Sequence, residues 1–455
     1  MFVTNDGRNV LFTFVIVSSL FLLWGFCNGM IDVMDKHFQE ELHLNLSQSA
    51  WVQFAHYLGY FLMSLPAGWL ATKFGYKGGI IAGLLLVAVG GFWFIPATKI
   101  VAFWAFLLGV CLIASGLTFL ETIANPYTTV LGPEQFAATR INLAQSCNGI
   151  GWILGPIAGA VFFYSKDAAG KSTGSQTLWI PYAGVGVVVI VLAVIFYFAS
   201  VPDIKTEDDY HLDDSTPDVP HSIWSHPHFT MAVAAQFFYV AAQAGIFSFL
   251  INYMTTQPPP IPASWDANMN NLATHSPGFL QNFFLGWFEP NKEGGLCISN
   301  KLASYLASVG FVCFLIGRFT GAGLLRKYSA HKMLGLYGVM NVLMCLLIFC
   351  KLGWFSVVCV FLSYFFMSIM FPTIFALGIF GLGARAKKAS AYIVMAIMGG
   401  AILPKVMGAV ADRYDLSRGF IVPLACFVFV AYYGYNWPKY SKAESLHGVG
   451  TIRGH

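Results

Sequence analysis

Long apolar runs separated by short polar breaks fill most of this chain. A helix that crosses a bilayer needs about 20 mostly apolar residues. Twelve runs meet that length, near residues 9–34, 47–71, 77–96, 99–129, 137–165, 178–200, 227–253, 300–325, 331–350, 353–380, 388–412 and 416–437. The fourth and tenth are longer than a straight crossing needs, so each is expected to be tilted or broken. Two polar stretches interrupt the series. Residues 201–226 contain "VPDIKTEDDYHLDDSTPDVP", rich in acids and proline, which predicts a solvated linker. Residues 254–299 contain "TTQPPPIPASWDANMNNLATHSPGF", a long polar loop. The pattern predicts an all-α membrane protein of twelve transmembrane helices in two six-helix bundles. The halves are 1–200, then the acidic linker 201–226, then 227–455 with the loop 254–299.

Composition sharpens this picture. Of the 455 residues, 57% are hydrophobic and only 10% charged, and mean hydropathy is +0.66. Soluble domains carry roughly a quarter charged residues, so the chain has too few to cover a water-facing surface. A net charge of +4 without a dense basic cluster gives no reason to expect nucleic acid. Eight of the nine cysteines lie in apolar stretches and Cys297 in a polar loop. No metal-ligand spacing appears and no disulfide framework is implied. The first run has no small-residue cleavage site after it and is expected to be a retained span.

Lysine and arginine set the orientation. With the N-terminus inside, most of them fall on inner loops and tails, notably in "RKYSAHK" and "ARAKK". Both termini and the acidic linker are then expected in the cytoplasm, and the 254–299 loop outside. "WLATKFGYK" and "GLLRKYSAHK" join the second and third helices of each half, with Lys73 and Lys327 in matching places. Internal repeats of this kind are common in transporters.

Ionisable groups inside membrane spans are rare and by default suggest a function. Asp32 ends the first run in "LWGFCNGMIDVMDKHF", where Trp24 and Asn28 precede it. Glu121 sits in the fourth, after twenty residues without a charge. The fifth carries "RINLAQSCNGIG", placing Asn142, Gln145 and Asn148 on roughly one helical face. In the seventh, Gln236 and Gln243 share a face seven residues apart, with Asn252 beyond them. A carboxyl in a low-dielectric site without a cationic partner can hold a proton near neutral pH, which is what a proton-coupled carrier needs. Amides pair donors with acceptors and suit an uncharged, hydroxyl-rich solute, and Trp24 could stack on a sugar ring. Competing readings are an interfacial acid at Asp32, a structural hydrogen bond at Glu121, and amides that glue helices together. His56 is read as structural rather than as a relay. "GWILGPIAG" brings Gly151, Gly155, Pro156 and Gly159, small residues that let helices approach.

"FLETIANPYTTVLGPE" followed by "RINLAQSCNGIG" resembles the fucose permease group of the major facilitator superfamily, the fucose–galactose–glucose:proton symporters. "FLLWGFCNGMIDVMDKHFQ", "AAQFFYVAAQAGIFSFLINY", "CFLIGRFTGAGLL", "FMSIMFPTIFALGI" and "YIVMAIMGGAILPKVMG" extend the likeness over nearly the whole chain. The resemblance implies the major facilitator fold, two bundles rocking around a central site. It implies that Asp32 takes and releases the proton and that Glu121 binds sugar and is coupled to it. Trp24, Gln145 and Asn148 would line the site from one half, and Phe314 and Phe371 from the other. The sequence departs from fucose permease at Gly29, where that permease has asparagine, at Phe371, where it has tyrosine, and at Phe247, where it has tryptophan. These departures turn the expectation from L-fucose to a glucose- or galactose-type hexose.

The leading expectation is a proton symporter of a neutral monosaccharide in the inner membrane, monomeric in the lipid bilayer. It needs no cofactor or metal beyond its coupling ion, the proton, with sodium as the alternative. A sodium-coupled sugar carrier and a non-transporting membrane sugar sensor are the rivals. An enzyme is not expected, because no nucleophile–base pair, phosphate loop or metal cluster is visible.

Overall fold

A computed structural model describes residues 2, 9–100, 102–131, 137–164, 177–199, 223–277, 281, 283–290, 295–325, 328–380 and 386–441. Lys327, residues 201–222 of the acidic linker, and the side chains of Asp32 and Asn142 lie outside the described residues. Helices stand at all twelve predicted positions. The first span is Leu11–Glu41, running seven residues past the end of its apolar run, because most of that extension is buried against protein. The second and third form one stretch, Trp51–Ile100, which turns at Gly75 (φ 70°, ψ −179°), a conformation that favours glycine. Phe103–Val130, Ala137–Phe162 and Trp179–Phe198 complete the first half.

The second half has more interruptions. Its seventh span is Pro227–Ser248 continued by Leu250–Thr256, its eighth Asn300–Leu325 and its ninth Ala330–Phe349. The tenth breaks between Trp354–Met367 and Met370–Ile379. Pro372 explains the break: it has no N–H to donate to the Ser368 carbonyl one turn earlier. The fourth, also expected to be tilted or broken, is unbroken. The eleventh comprises Ala386–Met395, a 3-10 turn at Ala396–Met398 and Gly399–Arg413. The Gly399–Gly400 pair lies at that change of pitch, a usual site for a kink. Ile421–Ser441 is the twelfth. Ten helices among the described residues are long and apolar enough to cross a membrane on composition alone. The loop 254–299 is folded in part: it carries a helix, Ala263–Thr274, and an antiparallel pair, Phe288–Pro290 with Leu296–Ile298.

The two halves repeat one packing scheme. The first span lies along the fifth as the seventh lies along the eleventh, and the third lies along the sixth as the ninth lies along the twelfth. Across the seam the fifth packs on the eighth, and the eleventh on the second. Lipid supplies no hydrophobic drive for helices to associate, so close approach depends on small residues. The glycines of "GWILGPIAG" serve that end within the first half: a Cβ on Gly155 would fall 2.7 Å from the Gly29 carbonyl carbon. Large apolar side chains such as Phe12, Trp69, Val188 and Phe198 are exposed on the outer surface of the bundle, where lipid would meet them.

Candidate functional site

The close contact of the first and fifth spans assembles one wall of the site. Gly25 lies against Asn148, and Gly29 against the Trp152 carbonyl and Pro156. A Cβ on Gly29 would stand 2.9 Å from that carbonyl oxygen, so no amide side chain fits there. Asn148 Nδ2 donates to Gln145 Oε1 at 3.2 Å, and the buried Asn148 Oδ1 has no partner. Trp24 Nε1 donates to the Tyr60 hydroxyl at 2.5 Å. Glu121 lies within electrostatic reach of Tyr60. Trp24 and Glu121 face each other across a cavity of about 10 Å³ that Leu20, Phe21, Leu120 and Ala124 complete. Glu121 keeps part of its surface accessible, although its neighbours Leu120, Ile123 and Ala124 are buried.

A second cavity, about 20 Å³, lies at the seam of the two halves. Asn28, Gln53, His56, Tyr57 and Trp152 line it from the first half, and Ala244 and Phe247 from the second. Asn28 Oδ1 and His56 Nδ1 are both buried and unpartnered.

The structure thus brings Trp24, Asn28, Glu121, Gln145 and Asn148 together on one wall. The opposite wall is mainly aromatic. Trp152 packs against both Phe247 and Phe311, with ring centroids at 5.9 and 4.8 Å, and Phe247 stacks on Tyr364 at 4.5 Å. Phe314 lies 6.1 Å from Phe247 and carries the Arg318 guanidinium 5.0 Å from its ring centre. Phe371 stands at the break in the tenth span, 6.4 Å from Tyr239, whose hydroxyl donates to the Met367 carbonyl. Gln236 is fully buried with both amide atoms unpartnered, and Gln243 is half-buried, so the structure does not join these two to the cluster. Asp32 lies one turn beyond Asn28 on the first span. Sequence reasoning passed over Gln53, Tyr57, Tyr60 and Trp152. The 53, 56, 57, 60 spacing marks one helical face and was the signal available.

Contacts across the seam close one end of the molecule, the end that bears the 254–299 loop. Outward from the Trp152 plug, Ser308 Oγ donates to the Ile153 carbonyl at 2.7 Å. Lys405 Nζ sits 3.6 Å from the Trp51 ring centre. Asp412 accepts from the backbone N–H groups of Leu46 (2.9 Å) and Ser47 (2.8 Å), and Asn300 Nδ2 donates to Glu40 Oε1 at 2.6 Å.

Comparison with known proteins places this geometry. The Major Facilitator Superfamily model matches residues 11–259. The chain is 33% identical to the L-fucose-proton symporter of Escherichia coli (strain K12) over 446 residues, 94% of this chain and 93% of that one. It is 31% identical to the glucose/galactose transporter of Brucella abortus biovar 1 (strain 9-941) over 432 residues, 95% of each. Among solved structures, the transporter FucP in its outward conformation superposes with a TM-score of 0.62 at 32% identity, covering 94% of this chain and 99% of that one. A D-xylose-proton symporter superposes with a TM-score of 0.69 at 12% identity, covering 95% and 99%, which shows shared fold alone.

Proposed function

Because this chain belongs to the major facilitator superfamily, we propose that it imports a neutral monosaccharide by proton symport, as a transporter and not an enzyme. The observation that carries the proposal is the placement of Glu121: a carboxylate in an apolar span, lining one cavity with Trp24, whose indole N–H donates to the Tyr60 hydroxyl. A carboxylate, an indole and the Gln145–Asn148 amide pair suit the hydroxyls and the C–H face of a sugar. Relatives named for L-fucose–proton symport and for glucose/galactose transport support the same class of cargo. Within that class a glucose- or galactose-type hexose is favoured, since Gly29 has no room for an amide and Phe371 and Phe247 offer rings without hydrogen-bonding groups.

Asp32 and Glu121 are the proton-coupling pair in this reading. Lysine and arginine placement puts both termini in the cytoplasm of a bacterial inner membrane and the 254–299 loop outside. The closed end is then the external one. Both cavities are water-sized, so sugar enters only as the halves part. One chain encloses the whole site, and a monomer suffices.

Uptake of a labelled hexose panel into proteoliposomes, under separate pH and sodium gradients, tests the proposal. Accumulation driven by the pH gradient is the expected result. A response to sodium alone would replace the proton as coupling ion, and binding without net uptake would make the protein a sensor.

A further inference from the structure

Two polar atoms at the seam are buried without partners. Asn28 Oδ1 and His56 Nδ1 belong to side chains that are 5% and 6% exposed, and both side chains line the cavity between the halves. A buried polar atom left without a hydrogen bond costs its full desolvation, so such atoms mark a place that another molecule completes.

The lining selects the ligand. Among the described residues no acid, lysine or arginine lines this cavity, so nothing there balances an ion. An amide oxygen only accepts, whereas a nitrogen of a neutral imidazole either donates or accepts. A hydroxyl serves both: it donates to Asn28 Oδ1 and accepts from a protonated His56 Nδ1. The remaining walls include the Trp152 ring on one side and Ala244 and Phe247 on the other, which suit the C–H groups beside a hydroxyl.

We propose that the seam cavity is a second recognition point for the sugar, where Asn28 and His56 read one ring hydroxyl. At about 20 Å³ the closed cavity has room for one water and none for a sugar. The hydroxyl replaces that water as the halves part. The way in is through the seam itself, because the edge of the Tyr57 ring lies where a side chain on Gly400 of the eleventh span would stand. Separating the halves therefore uncovers the pair. Asn28 is one helical turn from Trp24, roughly 5–6 Å between side-chain origins, a spacing comparable to the width of a pyranose ring. One sugar held against Trp24 and Glu121 thus presents an end to Asn28 and His56.

The inference rests on the sugar-transport reading and is tested by calorimetry. The probes are D-glucose, D-galactose and their monodeoxy analogues, each titrated into the unaltered chain, His56→Leu and Asn28→Ala. For the unaltered chain, removing the hydroxyl that enters the cavity should weaken binding about tenfold, the loss of one hydrogen bond with its partner left buried. Each variant should bind the parent sugar about tenfold more weakly, yet bind that one analogue as the unaltered chain does, since the same bond cannot be lost twice. Both variants must single out the same ring position; should one fail to fold, the other carries the comparison. Penalties that add at every ring position overturn the proposal and assign the pair to packing. An unaltered chain that binds every analogue as it binds the parent also overturns it, and leaves the cavity to water alone. Failure of the transport reading is distinguishable, because the unaltered chain would then bind none of the hexoses, and the inference would fall with it.

Discussion

Replacing Asp412 by alanine should open the loop end. Its carboxylate spans the seam, accepting from Leu46 N–H at 2.9 Å and Ser47 N–H at 2.8 Å at the start of a short helix that Asn45 also caps. Hydrogen bonds to a charged group contribute about 1.5–3 kcal/mol each when well shielded. Asp412 is exposed, so about 1 kcal/mol each is the fitting figure, about 2 kcal/mol together. Both bonds exist only in the closed state, so their whole loss falls on the closed–open equilibrium. At 1.4 kcal/mol per factor of ten, that is a shift of about 30-fold toward opening. A cysteine at Ser308, which is 6% exposed behind the closed end, can report it. Its rate of modification by a polar maleimide in nanodiscs, read by mass spectrometry of that peptide, should rise about 30-fold in Asp412→Ala. Asp415→Ala serves as the control, since Asp415 pairs with Lys351 inside the same half. An unchanged rate in Asp412→Ala would refute the latch, and an equal rise in Asp415→Ala would make the effect one of general loosening.

The remaining predictions address the same seam, the site and one exposed ion pair. Gly408→Ala should raise labelling at 308 as well, because its methyl would stand 2.8 Å from the Leu46 carbonyl carbon and 2.9 Å from Ser47 N; labelling that stays slow would mean the backbone there yields without opening. Glu121→Gln should weaken hexose binding by about tenfold or more, the loss of one charge-assisted hydrogen bond, as read by calorimetry. For Asp415, partial burial pushes the carboxyl up, but Lys351 and the Arg418 N–H pull it below its ordinary value. A lowered value means stability present above the unfolded pKa, about 3.9, and lost as pH falls through the folded one. Asp415→Asn should therefore cost under about 1 kcal/mol at neutral pH, with the gap in thermal unfolding closing in acid.

The spans were legible because lipid demands about 20 apolar residues per crossing and tolerates little else. What hydropathy missed follows from the same rule. The first apolar run ends near 34, so Asp35 fell outside it; the helix in fact continues to Glu41 with Asp35, His37 and Gln39 buried against other helices. Hydropathy cannot tell a span that faces lipid from one that faces protein. Tyr57, Tyr60 and Trp152 drew no reading from the sequence, although they line or edge the site. In the second half, the search for amides selected Gln236 and Gln243, whereas the cavity wall there is Ala244 and Phe247. Pro372 and the Gly399–Gly400 pair were visible as breakers, yet only the break in the tenth span was anticipated, from length.

The contacts that close the loop end share one property: each is individually weak. Among the described residues no ion pair crosses the seam; Lys36–Glu40 and Lys351–Asp415 both lie within one half. The crossing contacts are a carboxylate on backbone N–H groups, a hydroxyl on a backbone carbonyl, a cation over an indole, an amide on a carboxylate, and tilted aromatic rings. A carrier must populate both of its states, which confines their difference to a few kcal/mol. Breaking a fully shielded ion pair leaves a buried charge uncompensated and costs about 3–5 kcal/mol, enough to trap one state. Contacts of about 1 kcal/mol to a backbone amide or a ring face let the end open at thermal cost. The carboxyl of the apolar spans, Glu121, lies instead within the first half beside Trp24; under the proposed symport, a change in its protonation would bias which of two nearly balanced states is occupied.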